Sequence, residues 1–97
     1  MTFRTDFPDF PEGDFPALPE GFVDTSFCKD ACPSMCSYGF GLMVYVDYRD
    51  PNKRELPPGS RFVVLGMKGS FVDIERPLLE TDNWDAVLAL VAQRSAR

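Results

Sequence analysis

The sequence predicts an α+β fold: a three- to four-stranded antiparallel sheet, one C-terminal helix packed on it, and an extended Pro-rich N-terminal arm. Strand-like alternation runs through 40–48 and 61–68, and helical periodicity is confined to 81–94. Residues 6–21 read DFPDFPEGDFPALPEG, an eight-residue unit written twice with six of eight positions identical. The expected organisation is an acidic Phe/Pro repeat arm over 1–21 and a single domain over 22–97.

Each unit of the arm supplies two prolines and ends in PEG. Proline fixes φ near −65° and disfavours helix for the residue before it, so the arm is expected to run extended. GFVDTSF (21–27) alternates weakly and reads as a short first strand. KDACPSMCSYG (29–39) reads as a loop with one helical turn opening at Pro33. FGLMVYVDY (40–48) is the strongest strand, with Phe40, Leu42, Val44, Val46 and Tyr48 on one face. RDPNKRE (49–55) and PPGS (57–60) read as turns, the second with a type II signature. RFVVLGMK (61–68) is expected to pair antiparallel with 40–48, and KGS then reverses the chain into FVDIE (71–75). The helix begins with Thr81 or Asp82 as N-cap. Trp84, Val87, Leu88 and Val91 form its apolar stripe, and Arg94 and Arg97 lie near its far end.

Charge is distributed unevenly. Asp6, Asp9, Glu12, Asp14, Glu20 and Asp24 face Arg4 alone in residues 1–27, whereas nine acids and nine bases balance in 28–97. The net charge of −5 therefore belongs to the segment that also holds six of the nine phenylalanines. Such acidity disfavours direct contact with nucleic-acid phosphates. The longest apolar runs fall far short of the roughly 20 residues that span a bilayer. No basic start is followed by an apolar stretch, so the expected location is cytoplasmic, in a bacterial host cell.

Chemistry-bearing patterns are few. Cys28, Cys32 and Cys36 are spaced C-x3-C-x3-C, whereas structural zinc sites favour C-x2-C pairs completed from far along the chain. With no histidine and no fourth cysteine, packing is the expected role, no cofactor or metal is called, and a metal or redox function is the alternative. Acid–base catalysis would need a perturbed carboxylate, Cys or Lys, and no recognisable arrangement of these occurs, so the chain is read as non-enzymatic. Arg49, Lys53 and Arg54 beside Tyr45 and Tyr48 are neutralised locally by Asp47, Asp50 and Glu55, which suits a solvated turn. The same turn is a candidate dock for the chain's own acidic arm.

DTSFCKDACPS (24–34), VDYRDPNKRE (46–55) and LLETDNWDAVLAL (78–90) together resemble a loose group of short uncharacterised proteins of bacterial genomes, phages and plasmids. The likeness spans roughly the last three-quarters of the chain, omits the repeat and implies no activity. That group carries an aromatic–polar pair where this chain has Phe27-Cys28, which marks the cysteines as a local departure. Small size, acidity and the lack of catalytic residues are also similar in class to phage-encoded inhibitors such as anti-CRISPR proteins, which occupy basic nucleic-acid grooves.

The resulting expectation is a protein-binding module, an accessory or inhibitor protein of a mobile element whose acidic surface occupies a basic partner groove. Asp6, Asp9, Glu12, Asp14 and Glu20 would steer, and Phe7, Phe10 and Phe15 would anchor. The arm could equally fold back and cover the sheet. A self-associating structural protein, dimerising through the edge of 71–75, is the remaining alternative.

Overall fold

The computed structural model describes residues 2–55, 59–69 and 71–95. The arm opens with one helical turn, α1 (Phe3–Asp6), which stops at Phe7 with φ −132°. Phe7 precedes Pro8, whose ring crowds the helical conformation of its neighbour. Beyond it Pro11 is extended, at φ −61° and ψ 132°, and leads into a 3-10 turn at Glu12–Asp14. The arm is thus extended only in pieces, because Phe3–Asp6 escape the prolines altogether.

The two repeat units hold matching positions. Each PEG closes a turn: the Asp14 amide donates to the Pro11 carbonyl and the Phe22 amide to the Pro19 carbonyl, both at 3.0 Å. Each leading aspartate accepts a distant main-chain N–H at 3.0 Å, Asp6 from Cys28 and Asp14 from Arg49. Phe7 and Phe15 both pack half-buried against the core. The units diverge at their fifth position, where Phe10 is 5% exposed and Leu18 43% exposed.

Among the described residues six strands form the antiparallel sheet, rather than the expected three or four. They are β1 (Val23–Asp24), β2 (Ser34–Ser37), β3 (Leu42–Val46), β4 (Phe62–Lys68), β5 (Phe71–Val72) and β6 (Leu79–Thr81). β1 to β5 lie in chain order, and β6 returns to pair with the first half of β4. The expected β3–β4 pairing is present, with Val44 opposite Val64 and Tyr45 opposite Val63. β2 replaces the helical turn expected after Pro33. All four of its residues are buried, so it lacks the alternation that reveals a half-exposed strand. β5 is shorter than the expected 71–75. The PPGS turn falls on 57–60, of which 57 and 58 lie outside the described residues, as do Ser70 and Arg97.

The inner face of the sheet carries Met35, Leu42, Val44, Val46, Phe62 and Val64 in one cluster with Phe3, Phe10 and Phe22 from the N-terminal segment. Val87 and Val91 of α2 (Trp84–Ser95) complete it. Asn83, rather than Thr81 or Asp82, caps this helix: its Oδ1 accepts from the Asp85 amide at 2.9 Å. Leu90 packs against the core while Leu88 is 38% exposed, so the buried stripe is Trp84, Val87, Leu90 and Val91. Helix and arm cover the same face side by side. The Cα radius of gyration is 12.4 Å, matching the roughly 12.5 Å of a compact chain of this length.

Candidate protein-binding surfaces

Residues 47–55 and 59–61 form the dock for the arm. Asp47 is fully buried, and its carboxylate accepts N–H groups from Tyr48 at 2.9 Å and Glu55 at 2.9 and 3.2 Å. The Arg54 guanidinium donates to the carbonyls of Tyr48, Arg49 and Gly59, at 2.9, 3.0 and 2.7 Å. It also pairs with Asp82 at 3.2 Å, tying the loop to the start of α2. Held this way, the loop presents the Arg49 amide to Asp14, while Arg61 donates to the Asp14 carbonyl at 2.6 Å. Burial, then the neighbouring Arg49 charge, lowers the Arg61 pKa. The basic turn therefore receives the chain's own acidic arm.

That docking sorts the expected binding residues into two groups. Phe10 is a core residue: its ring lies 4.7 Å from Tyr48 and meets Phe3 edge-on at 6.2 Å. Phe15 stacks on Phe3 at 4.3 Å, and Phe7 lies against the same cluster. These rings are packed on the chain's own sheet. Asp6 and Asp14 turn inward as acceptors, with Asp14 only 9% exposed. Asp24 likewise accepts from the Phe3 amide at 2.9 Å. Asp9, Glu12 and Glu20 remain exposed, Glu12 in an ion pair with Arg4.

The three cysteines do not share an environment. Cys28 is exposed, Cys32 and Cys36 are buried, and all three are free thiols. Burial, reinforced by the charges of Asp47 and Asp30, pushes the Cys32 thiol well up, so it stays protonated at neutral pH. No group of three or more metal-ligating side chains converges among the described residues.

Sequence reasoning missed the outer face of the sheet. By alternation Tyr45, Val63 and Leu65 point away from the arm and helix, and they floor a groove of about 290 Å³. Asp30 and Ala31, ahead of β2, line the groove with Ile74, Pro77 and Glu80 from the β5–β6 region. Register places Tyr45, Val63 and Glu80 in one row across three strands. Burial, and then the Asp30 carboxylate, raises the Tyr45 pKa above its usual value and keeps it a neutral hydroxyl. Asp30 and Glu80 make no ion pair or side-chain hydrogen bond among the described residues. Ile74 beside the groove is 69% exposed, with Phe71 at 70% and Leu78 at 45% in the same stretch. The signal in the sequence is the apolar character of both faces of β4, whose Val63 and Leu65 alternate with core residues Phe62 and Val64.

No protein family, curated protein or solved structure matches the chain. No helix among the described residues is long and apolar enough to cross a membrane.

Proposed function

We propose that this chain is a small, acidic, non-enzymatic protein-binding module that engages a basic partner through the outer face of its sheet. The carrying observation is the juxtaposition there of an apolar groove, the exposed Ile74, and carboxylates at Asp30 and Glu80. An exposed apolar side chain continuous with an apolar groove marks an interaction site more often than an isolated one does. Unneutralised carboxylates select for a cationic partner and speed its approach. Asp9 and Glu20 add exposed negative charge from the arm, so the arm contributes to steering while its rings hold the fold. A Lys/Arg-lined groove is the partner surface such a face fits, in keeping with the inhibitor class and mobile-element proteins that the sequence resembles.

Affinity capture from a bacterial lysate, washed at about 0.1 M and about 1 M salt, tests this reading. Between those conditions the Debye length falls from ~10 Å to ~3 Å. A basic protein retained at low salt and released at high salt is the expected result. Retention of nucleic acid alone, or of nothing at either salt, overturns the reading.

A further inference from the structure

The chemistry of the outer-face groove is narrower than a general acidic surface. Its floor is hydrocarbon and one aromatic ring, its rim carries two carboxylates, and among the described residues no basic side chain lines it. We propose that the groove receives an arginine or lysine side chain presented by a polypeptide partner, with the aliphatic stem on Val63 and Leu65 and the cation between Asp30 and Glu80. This rests on the protein-binding reading above and names the group that is bound.

Geometry supports the assignment strand by strand. Neighbouring strands lie about 4.8 Å apart, so the Tyr45–Val63–Glu80 row places ring, apolar floor and carboxylate in succession on one face. Asp30, ahead of β2, supplies the second charge and is close enough to raise the Tyr45 pKa. A stem of three or four methylenes ending in a cation matches that order from floor to rim. With Tyr45 in the groove lining, a guanidinium is favoured, because it stacks on aromatics more readily than an ammonium does. At about 290 Å³ the groove lies at the lower limit of small-ligand sites, the scale of one long side chain. An anion would meet Asp30 and Glu80, and a purely apolar group would desolvate both carboxylates without compensation. Ile74, 69% exposed at the groove's edge, extends its apolar surface, which suits a residue flanking the inserted side chain and favours a polypeptide over a free amine.

The test is a titration of the full-length, ¹⁵N-labelled protein with the blocked peptide acetyl-Gly-Leu-Arg-Leu-Gly-amide. Controls are the same peptide with norleucine in place of arginine, and N-acetylarginine amide alone. The arginine peptide should shift the amides of Ala31, Tyr45, Val63 and Glu80 saturably, and each control should bind at least about tenfold more weakly, the scale of losing a close charge pair or its flanking contacts. The double substitution Asp30→Asn/Glu80→Gln should weaken the arginine peptide by a similar factor. Ala31→Trp, at an exposed position, should block the groove while leaving both carboxylates in place. Well-dispersed spectra of the variants establish that they are folded.

Equal binding of the norleucine peptide would overturn cation selection, and equal binding of N-acetylarginine amide would overturn the polypeptide assignment. If the arginine peptide instead shifts residues around Asp9 and Glu20 and ignores both variants, the groove proposal falls while binding through the acidic surface survives. If it shifts nothing, the groove proposal falls, and salt-sensitive capture of a basic protein decides separately whether the broader reading stands.

Discussion

Asp82 shows how an exposed carboxylate becomes structural. Its Oδ1 accepts the Arg61 amide at 2.9 Å, and both oxygens lie 3.2 Å from Arg54 Nη1. The Arg61 amide and then the Arg54 guanidinium hold its pKa below the ordinary aspartate value of 3.8. A depressed folded-state pKa adds stability that is complete above the unfolded value and fades as pH falls from there through the folded one. Thermal melts of the wild type and Asp82→Asn between pH 6 and pH 2 should therefore show a gap in Tm that is constant above about pH 5 and narrows below about pH 4. A gap of constant size across the range would show that the carboxylate's charge contributes nothing. The sequence marked Asp82 only as a helix cap. Its neighbour Asn83 takes that position, because the tie to Arg54 and Arg61 crosses more than 20 residues of chain and leaves no local signature.

Among elements, the repeated arm shows a symmetric sequence put to partly asymmetric use. Asp6 and Asp14, Phe7 and Phe15, and the two PEG turns hold equivalent positions, but the fifth residues do not. Phe10 is enclosed by Phe3, Tyr48 and the sheet, whereas Leu18 is 43% exposed. Phe10→Ala should destabilise by about 3–5 kcal/mol, the usual cost of emptying a buried phenylalanine site. Leu18→Ala should stay within about 0.5 kcal/mol, as surface changes do. Urea unfolding of the two variants checks this, and equal losses would show that the units are packed alike. The same contrast explains which elements were legible. β3 and α2 declare themselves by alternation and by helical spacing. β2 is enclosed on both faces, β6 is three residues long, and neither length nor pattern distinguishes them from loop. The arm's repeat was legible as a pattern, but whether its rings faced a partner or the sheet depended on Arg49 and Tyr48, which lie far along the chain.

At the scale of the molecule, the inner sheet face is covered, among the described residues, by one ordinary helix and by the N-terminal arm. Val87 and Val91 of α2 protect one part, and Phe3, Phe10 and Phe15 with Phe7 protect the other. A chain beginning at Gly21 would lose two buried phenylalanines and two half-buried ones, together with the Asp14 carboxylate that accepts the Arg49 amide. Each buried phenylalanine alone is worth about 3–5 kcal/mol, set against a total of about 5–15 kcal/mol for a natural domain. Removal of the arm should therefore leave no cooperative melting transition at 25 °C or above, with the uncovered Leu42, Val44 and Val46 surface driving aggregation. Calorimetry and light scattering of the shortened chain beside the full one measure both. A synthetic peptide of residues 1–20, added in trans, should restore part of the transition in a concentration-dependent way, because it binds only the folded state. A shortened chain that melts as the full one does would mean that the rings contribute little to the core, returning Phe7, Phe10 and Phe15 to the role of anchors for a partner. Loss of the transition fixes the arm as part of the fold and leaves the outer face, with Asp30, Tyr45 and Glu80, as the surface free to bind.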